Sequence, residues 1–162
     1  MKTIMSACGV LCSGCAAYHG SAKGIEHKKR TAVAWKRIYR LNEKPENLSC
    51  GGCQGPQNEL LSYCRKCKAQ QCCRKKGFRS CAECPVKSCA RLRRAQAVWD
   101  SVPSIGKKLS RADFVKYAKP YCGHRERLER ARRKVKETTR LRGRNQGNDN
   151  GEAPLTRRSR MG

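Results

Sequence analysis

The sequence predicts a small α-rich domain stapled through metal-bound cysteines into irregular zinc knuckles, followed by a basic helix and a flexible basic tail. Three observations predict it. Leu, Ile, Val and Phe together make up only 23 of 162 residues, and the net charge is +26. That composition is usual for disordered chains and too poor in apolar surface to offset chain entropy by burial alone. Thirteen cysteines, most of them paired at ligand spacing, supply what the apolar residues do not. The ordered stretches between them repeat with helical rather than strand periodicity. At 18.3 kDa the chain is too small for a large α/β enzyme fold, and it has no long uncharged apolar run that would span a membrane.

Taken in order, the first cysteine group covers 8–15. Residues 21–41 read as a helix, with Ile25, Ala32, Trp35, Ile38 and Tyr39 on one face and Lys28, Lys29, Arg30, Lys36, Arg37 and Arg40 elsewhere. Asn42, Pro45 and Asn47 break it. The block 50–89 holds nine cysteines with Gly51, Gly52, Gly55, Pro56 and Gly77 as turn formers. Within it only Leu60–Tyr63 suggests a turn of helix. A second helix is expected over about 86–99, with Val86, Cys89, Leu92 and Trp99 inward and Arg91, Arg93 and Arg94 outward. Ser110-Arg111-Ala112-Asp113 has the form of a helix start, leading to Phe114, Val115 and Tyr117 before Pro120 stops it. A charged helix over 123–141 shows a thin stripe of Leu128, Ala131 and Val135. The chain thus divides into a cysteine-rich domain (1–122), a basic helix (123–141) and a flexible tail (142–162).

Cys50-x2-Cys53 followed by Cys64-x2-Cys67 is the sharpest chemical signal. Two residues between cysteines let a tight turn aim both sulfurs at one ion, and two such knuckles complete a tetrahedral S4 shell. Two further groups, Cys81-x2-Cys84-x4-Cys89 and Cys8-x3-Cys12-x2-Cys15, have three sulfurs each and need a fourth ligand. Cys72 or Cys73 would complete one, and Cys122 or His124 the other. Neighbouring cysteines cannot easily serve one ion together, so either Cys72 or Cys73 is spare. Two or three zinc sites are expected. An iron–sulfur cluster is the alternative, since Cys84-Pro85 matches the end of bacterial ferredoxin motifs, although the cysteine run that precedes it there is missing. The spacing at 8–15 also occurs in radical enzymes that use S-adenosylmethionine, but the chain is too short for their barrel and Gly14 stands where an aromatic is common. His19 and His27 read as solvated. The acids are few and scattered, no phosphate loop is present, and nothing beyond proximity marks Cys122 and His124 as a nucleophilic pair, so catalysis is not expected.

The 38 basic residues against 12 acidic ones point to a polyanion, most often nucleic acid. The expected contacts are Lys28, Lys29, Arg30, Arg37, Arg65, Lys66, Arg91, Arg93, Arg94, Arg130, Arg132 and Arg133. Tyr63 and Phe78 lie among them and are candidates either for base stacking or for packing. RNA or the ribosome is favoured over DNA, because the charge is diffuse and no knuckle leads into a well-formed recognition helix. The N-terminus lacks the features of a secretory signal, and an odd cysteine count suits metal better than disulfides, so a cytoplasmic location is expected.

Cys8-Gly9-Val10-Leu11-Cys12-Ser13-Gly14-Cys15-Ala16-Ala17-Tyr18 resembles the opening of a cysteine-rich prokaryotic family known as domain of unknown function 3795. The likeness continues through Cys50-Gly51-Gly52-Cys53, Tyr63-Cys64-Arg65-Lys66-Cys67, Cys72, Gly77 and Cys81-Ala82-Glu83-Cys84 to Cys89, about residues 6–92. It implies a small metal-binding domain and brings no activity. Cys73 departs from the pattern, where a small apolar residue is more usual, which would make Cys73 the spare.

Overall fold

Helices and irregular loops form all of the described structure, with no strand and only two isolated bridges, Met5 to Leu11 and Tyr18 to Cys50. The structure is a computed structural model and describes residues 3–20 and 24–146, with side chains to 142. No helix among these residues is long and apolar enough to cross a membrane.

Helix α1 (Gly24–Tyr39) buries Thr31, Ala34 and Trp35. It ends on Arg40, whose φ of +58° sets a left-handed cap; Arg40 N–H donates to the Lys36 carbonyl at 3.2 Å and Leu41 N–H to that of Trp35 at 3.3 Å. Ile25, expected inside, is 48% exposed. It lies roughly 130° around the helix from the Thr31–Ala34–Trp35 stripe, at about 100° per residue. Helix α2 (Ser62–Arg65) leads into the second knuckle and carries Cys64, and α3 (Lys68–Lys75) follows it. The first is the turn expected at Leu60–Tyr63, displaced by two residues because Leu60 and Leu61 are extended. The second was not expected, because its buried side consists only of Ala69, Gln70 and Cys73.

Helix α4 (Ala90–Ala97) is shorter than expected: Cys89 caps it in extended conformation, leaving Val86 outside at 51% exposure. Leu92 is buried as expected, and Trp99 half-buried. Helices α5 (Val102–Gly106) and α6 (Arg111–Asp113) lead into a π-helical turn (Phe114–Ala118). Ser110 does start α6, its hydroxyl accepting the Asp113 N–H at 3.1 Å. Helix α7 (His124–Gln146) runs five residues beyond the expected end at 141. The expected tail from 147 onward lies outside the described residues.

Two apolar clusters hold these pieces together. One gathers Ala7, Cys8, Val10, Ala69, Cys73, Cys81, Leu92, Val102, Tyr121 and Leu128; the other gathers Ala17, Ala34, Trp35, Leu48, Cys50, Leu60, Leu61 and Tyr117. Buried cysteines thus take the place of missing aliphatics. Leu128 is 1% exposed, so the first turns of α7 belong to the core of the cysteine-rich region. Gly9 permits that contact. Its φ is +102°, and a Cβ there would lie 1.9 Å from the His124 carbonyl oxygen. Arg127 locks the junction, donating from Nε to the Gly9 carbonyl at 2.9 Å and from a terminal nitrogen to that of Pro120 at 2.8 Å.

Candidate metal centre

The cysteine groups at 8–15, 50–53 and 64–67 sit on tight turns whose backbones satisfy themselves locally. In the first, Cys15 N–H donates to the Cys12 carbonyl at 3.0 Å; in the third, Cys67 N–H donates to that of Cys64 at 3.2 Å. Between them, Gly52 takes φ +77° and its N–H donates to the Cys50 sulfur at 3.4 Å. The expectation that Gly51-Gly52 supplies backbone freedom is therefore met at Gly52. His19 N–H donates to the Cys50 carbonyl at 3.0 Å, which draws the 8–15 group against the 50–53 knuckle.

The result is one shared cavity of about 390 Å³, lined by Cys8, Cys12, Cys15, Cys50, Cys53, Cys64 and Cys67. Spacing suggested two separate sites here. Instead the thiols influence one another across the groups, Cys12 with Cys53 and Cys50 with Cys64. Within each pair one thiol favours ionisation of the other. The neighbouring Cys64 thiol brings Cys50 down to about 6. Cys12 likewise lowers Cys53, while Cys64 and Cys12 are pushed up. Burial pushes Cys8 to about 11, although Ser6 hydrogen-bonds its thiol at 3.3 Å.

Aromatic rings form one wall. Trp99 stacks on Tyr121 with centroids 4.6 Å apart, and Tyr63 and Tyr39 meet that pair edge-on at 6.1 and 5.9 Å. The Tyr121 hydroxyl lies 3.2 Å from the Cys15 sulfur. Tyr63 is thereby a packing residue as well as a partly exposed one, and Phe78 packs on the core. The exposed Lys66, Lys68, Arg91 and Arg94 also line the cavity, as does Glu43.

A second thiol group lies nearby. The Cys73 and Cys81 sulfurs are 3.4 Å apart, with Cys72 and Cys84 close enough to act on Cys73 electrostatically. Cys73, which the family resemblance made the spare, is thus the thiol facing Cys81, whereas Cys72 lies 3.4 Å from the Arg91 guanidinium. Cys89 is half-buried against the core. Cys122 and His124 do not line the large cavity. His124 binds the Tyr121 carbonyl through Nδ1 at 3.1 Å; its Nε2 is 3.5 Å from Asp100 but makes no hydrogen bond. Among the described residues no three Cys, His, Asp or Glu side chains stand as a ready metal-holding set.

The basic residues divide differently from expectation at one point. Lys29, Arg30, Arg37, Arg65, Lys66, Arg91, Arg93, Arg94, Arg130 and Arg133 are exposed and Lys28 is half-buried. Arg132 is buried instead, at 8% exposure. It pairs with Glu129 at 2.5 Å and reaches the Cys81 carbonyl at 3.4 Å, so it braces α7 against the second thiol group. Its position one turn beyond Leu128 was the available signal. Of the others, Lys29 pairs with Glu26 and Arg37 with Asp113. His27 binds the Ala16 carbonyl at 2.8 Å, and His19 lies 3.8 Å from Glu59.

Fold and site together define a small helix-rich protein whose cysteines serve as core residues and line an internal cavity. The chain belongs to the family described as Protein of unknown function (DUF3795), whose model matches residues 4–94. No curated protein and no solved structure matches the chain.

Proposed function

We propose that the protein is a non-enzymatic, thiolate-ligated metalloprotein of the cytoplasm that binds nucleic acid through its basic exterior, RNA or the ribosome ahead of DNA. One observation carries the nucleic-acid part: of the twelve cations expected to make contacts, all but Arg132 remain at the surface, and most of them form no ion pair among the described residues. A surface so one-sided in charge attracts phosphate backbones without reading sequence. The short helices α3 and α4 beside the thiol groups favour RNA over a major-groove reader.

Zinc suits the second thiol group. Two sulfurs on one tetrahedral zinc stand about 3.8 Å apart, given a Zn–S bond near 2.3 Å. Cys73 and Cys81 already lie at 3.4 Å, with Cys84 and Cys72 as further donors.

Fluorescence anisotropy with labelled RNA and DNA across a salt series tests the exterior. The expected result is a log-linear loss of affinity, at about −0.7 per phosphate contact on single strands, with on the order of six to ten contacts. Absence of binding near physiological salt would overturn it.

A further inference from the structure

We propose that the cavity lined from α2 and α4 seats one unpaired base of single-stranded RNA against Tyr63 and Trp99, while Lys66, Lys68, Arg91 and Arg94 hold the flanking phosphates. This rests on the reading of the protein as one that binds nucleic acid, and it names the form of nucleic acid and the place that grips it.

Charge and rings coincide here. Helices α2, α3 and α4 carry seven cations and no acid. Lys66, Lys68, Arg91 and Arg94 are exposed, line the cavity and form no ion pair among the described residues. Arg91 donates to the Cys72 sulfur at 3.4 Å, a far weaker acceptor than a phosphate oxygen. Glu43, the one acid among the described lining residues, already accepts the Ser62 hydroxyl at 3.0 Å.

The rings turn that charge into a seat for a base. Tyr63 sits on α2 and Trp99 two residues past the end of α4, and their edge-on contact at 6.1 Å joins the two basic helices. Tyr63 is 39% exposed and Trp99 half-buried, so both keep surface for a further ring. The Tyr121 ring stacked on Trp99 at 4.6 Å fixes its plane in advance, so little freedom is lost when a base arrives. The cavity, at about 390 Å³, has the volume of roughly a dozen waters at about 30 Å³ each, which accommodates a base. In a duplex the neighbours cover both faces of every base, so only an unpaired base can use these rings.

Several polar groups of the wall are already committed. The Tyr39 hydroxyl donates to the Tyr117 carbonyl at 2.5 Å, that of Tyr121 lies 3.2 Å from the Cys15 sulfur, and that of Ser6 accepts the Val10 N–H at 2.9 Å. The seat offers ring faces and charge rather than a base-reading set, so it tolerates any base. It calls on none of the thiols, which stay available to metal.

The test uses the full-length protein as purified and two probes. One is an oligouridylate carrying a single 2-aminopurine, whose fluorescence is quenched when it stacks; the other is a blunt RNA duplex. Saturating protein should remove most of the 2-aminopurine signal. Tyr63→Leu keeps apolar packing but removes the ring. It should weaken single-strand binding about five-fold or more, with the salt slope unchanged and duplex binding within about two-fold. Tyr63→Phe should bind like the wild type. Arg91→Ala and Arg94→Ala should instead each flatten the single-strand salt slope by about 0.7. Single-strand binding without quenching overturns the base seat and leaves the nucleic-acid reading standing. Equal losses on both probes in Tyr63→Leu do the same, marking Tyr63 as structural. Absence of binding to either probe overturns both readings. Should Tyr63→Leu fail to fold by circular dichroism, quenching by the wild type decides.

Discussion

Replacing Gly9 by alanine isolates the contact that ties the N-terminal cysteine group to α7. The new Cβ would lie 1.9 Å from the His124 carbonyl oxygen and 3.2 Å from the Leu128 Cβ. Restoring even the 3.0 Å below which real contacts essentially do not fall requires the two backbones to part by 1.1 Å, the difference of those distances. That movement strains the Arg127 hydrogen bond to Gly9 and loosens Leu128 in the core. Overpacking of this kind costs about 1–3 kcal/mol, and a non-glycine residue at positive φ costs a further 1–3 kcal/mol. The sum, about 2–6 kcal/mol, is a large share of the 5–15 kcal/mol typical of a whole domain.

Gly77 provides the control. It has φ +69° with nothing within 4 Å of a Cβ, so Gly77→Ala carries the backbone penalty alone. Urea unfolding followed by far-ultraviolet circular dichroism compares the two variants under identical metal loading. Gly9→Ala should be less stable than Gly77→Ala by about 1–3 kcal/mol, with unchanged m-value. A difference below about 0.5 kcal/mol would show that α7 is not held against Gly9 and would refute the packing described.

Chelating all metal should collapse the helical circular dichroism signal, because the apolar core alone is small; a retained signal would show a self-sufficient core. Cys73→Ala should lower zinc stoichiometry by elemental analysis more than Cys72→Ala does, and the reverse order would show Cys72 to be the ligand. Charge reversal at Arg130 and Arg133 should weaken RNA binding in anisotropy with little loss of stability. Arg132→Ala should instead destabilise by about 1–3 kcal/mol by removing bonds to Glu129 and the Cys81 carbonyl. Burial lowers the His124 pKa below its ordinary 6.5. The folded state therefore binds that proton less readily than the unfolded one, and the stability His124 contributes is present above pH 6.5 and lost as pH falls through its lower folded value. His124→Gln should flatten this part of the stability–pH curve measured by urea unfolding.

The cysteine spacing and the glycines made the family and the local turns legible in the sequence, and Ser110 marked a helix start that the structure contains. Spacing could not show that the 8–15 group and the 50–67 groups open on one cavity. That depends on the Tyr18–Cys50 bridge, a contact between segments about thirty residues apart with no local signature. Helix α3 was hidden because Gln70 and Cys73 fill positions where a pattern search looks for aliphatics. Arg132 was misplaced for the complementary reason: in a helix so rich in charge, one arginine on the core side looks like its neighbours. Cys73 shows the limit of local reasoning, since its partner Cys81 arrives across the turn at Gly77 rather than from an adjacent position.

Helix α7 changes character along its length. Its last well-buried side chain is Arg132, and residues 136–142 are exposed on every side. From Lys136 to Gln146 it extends for about 16 Å at 1.5 Å per residue. The Debye length at physiological ionic strength is about 8 Å, so the far end stands roughly two screening lengths beyond the packed body. A polyanion approaching from that side meets Lys136, Arg140 and Arg142 before it senses the rest of the molecule. The helix would act as a boom that widens the capture radius and fixes the direction of arrival. Shortening it would then slow association more than it speeds release, a kinetic asymmetry that equilibrium affinities conceal.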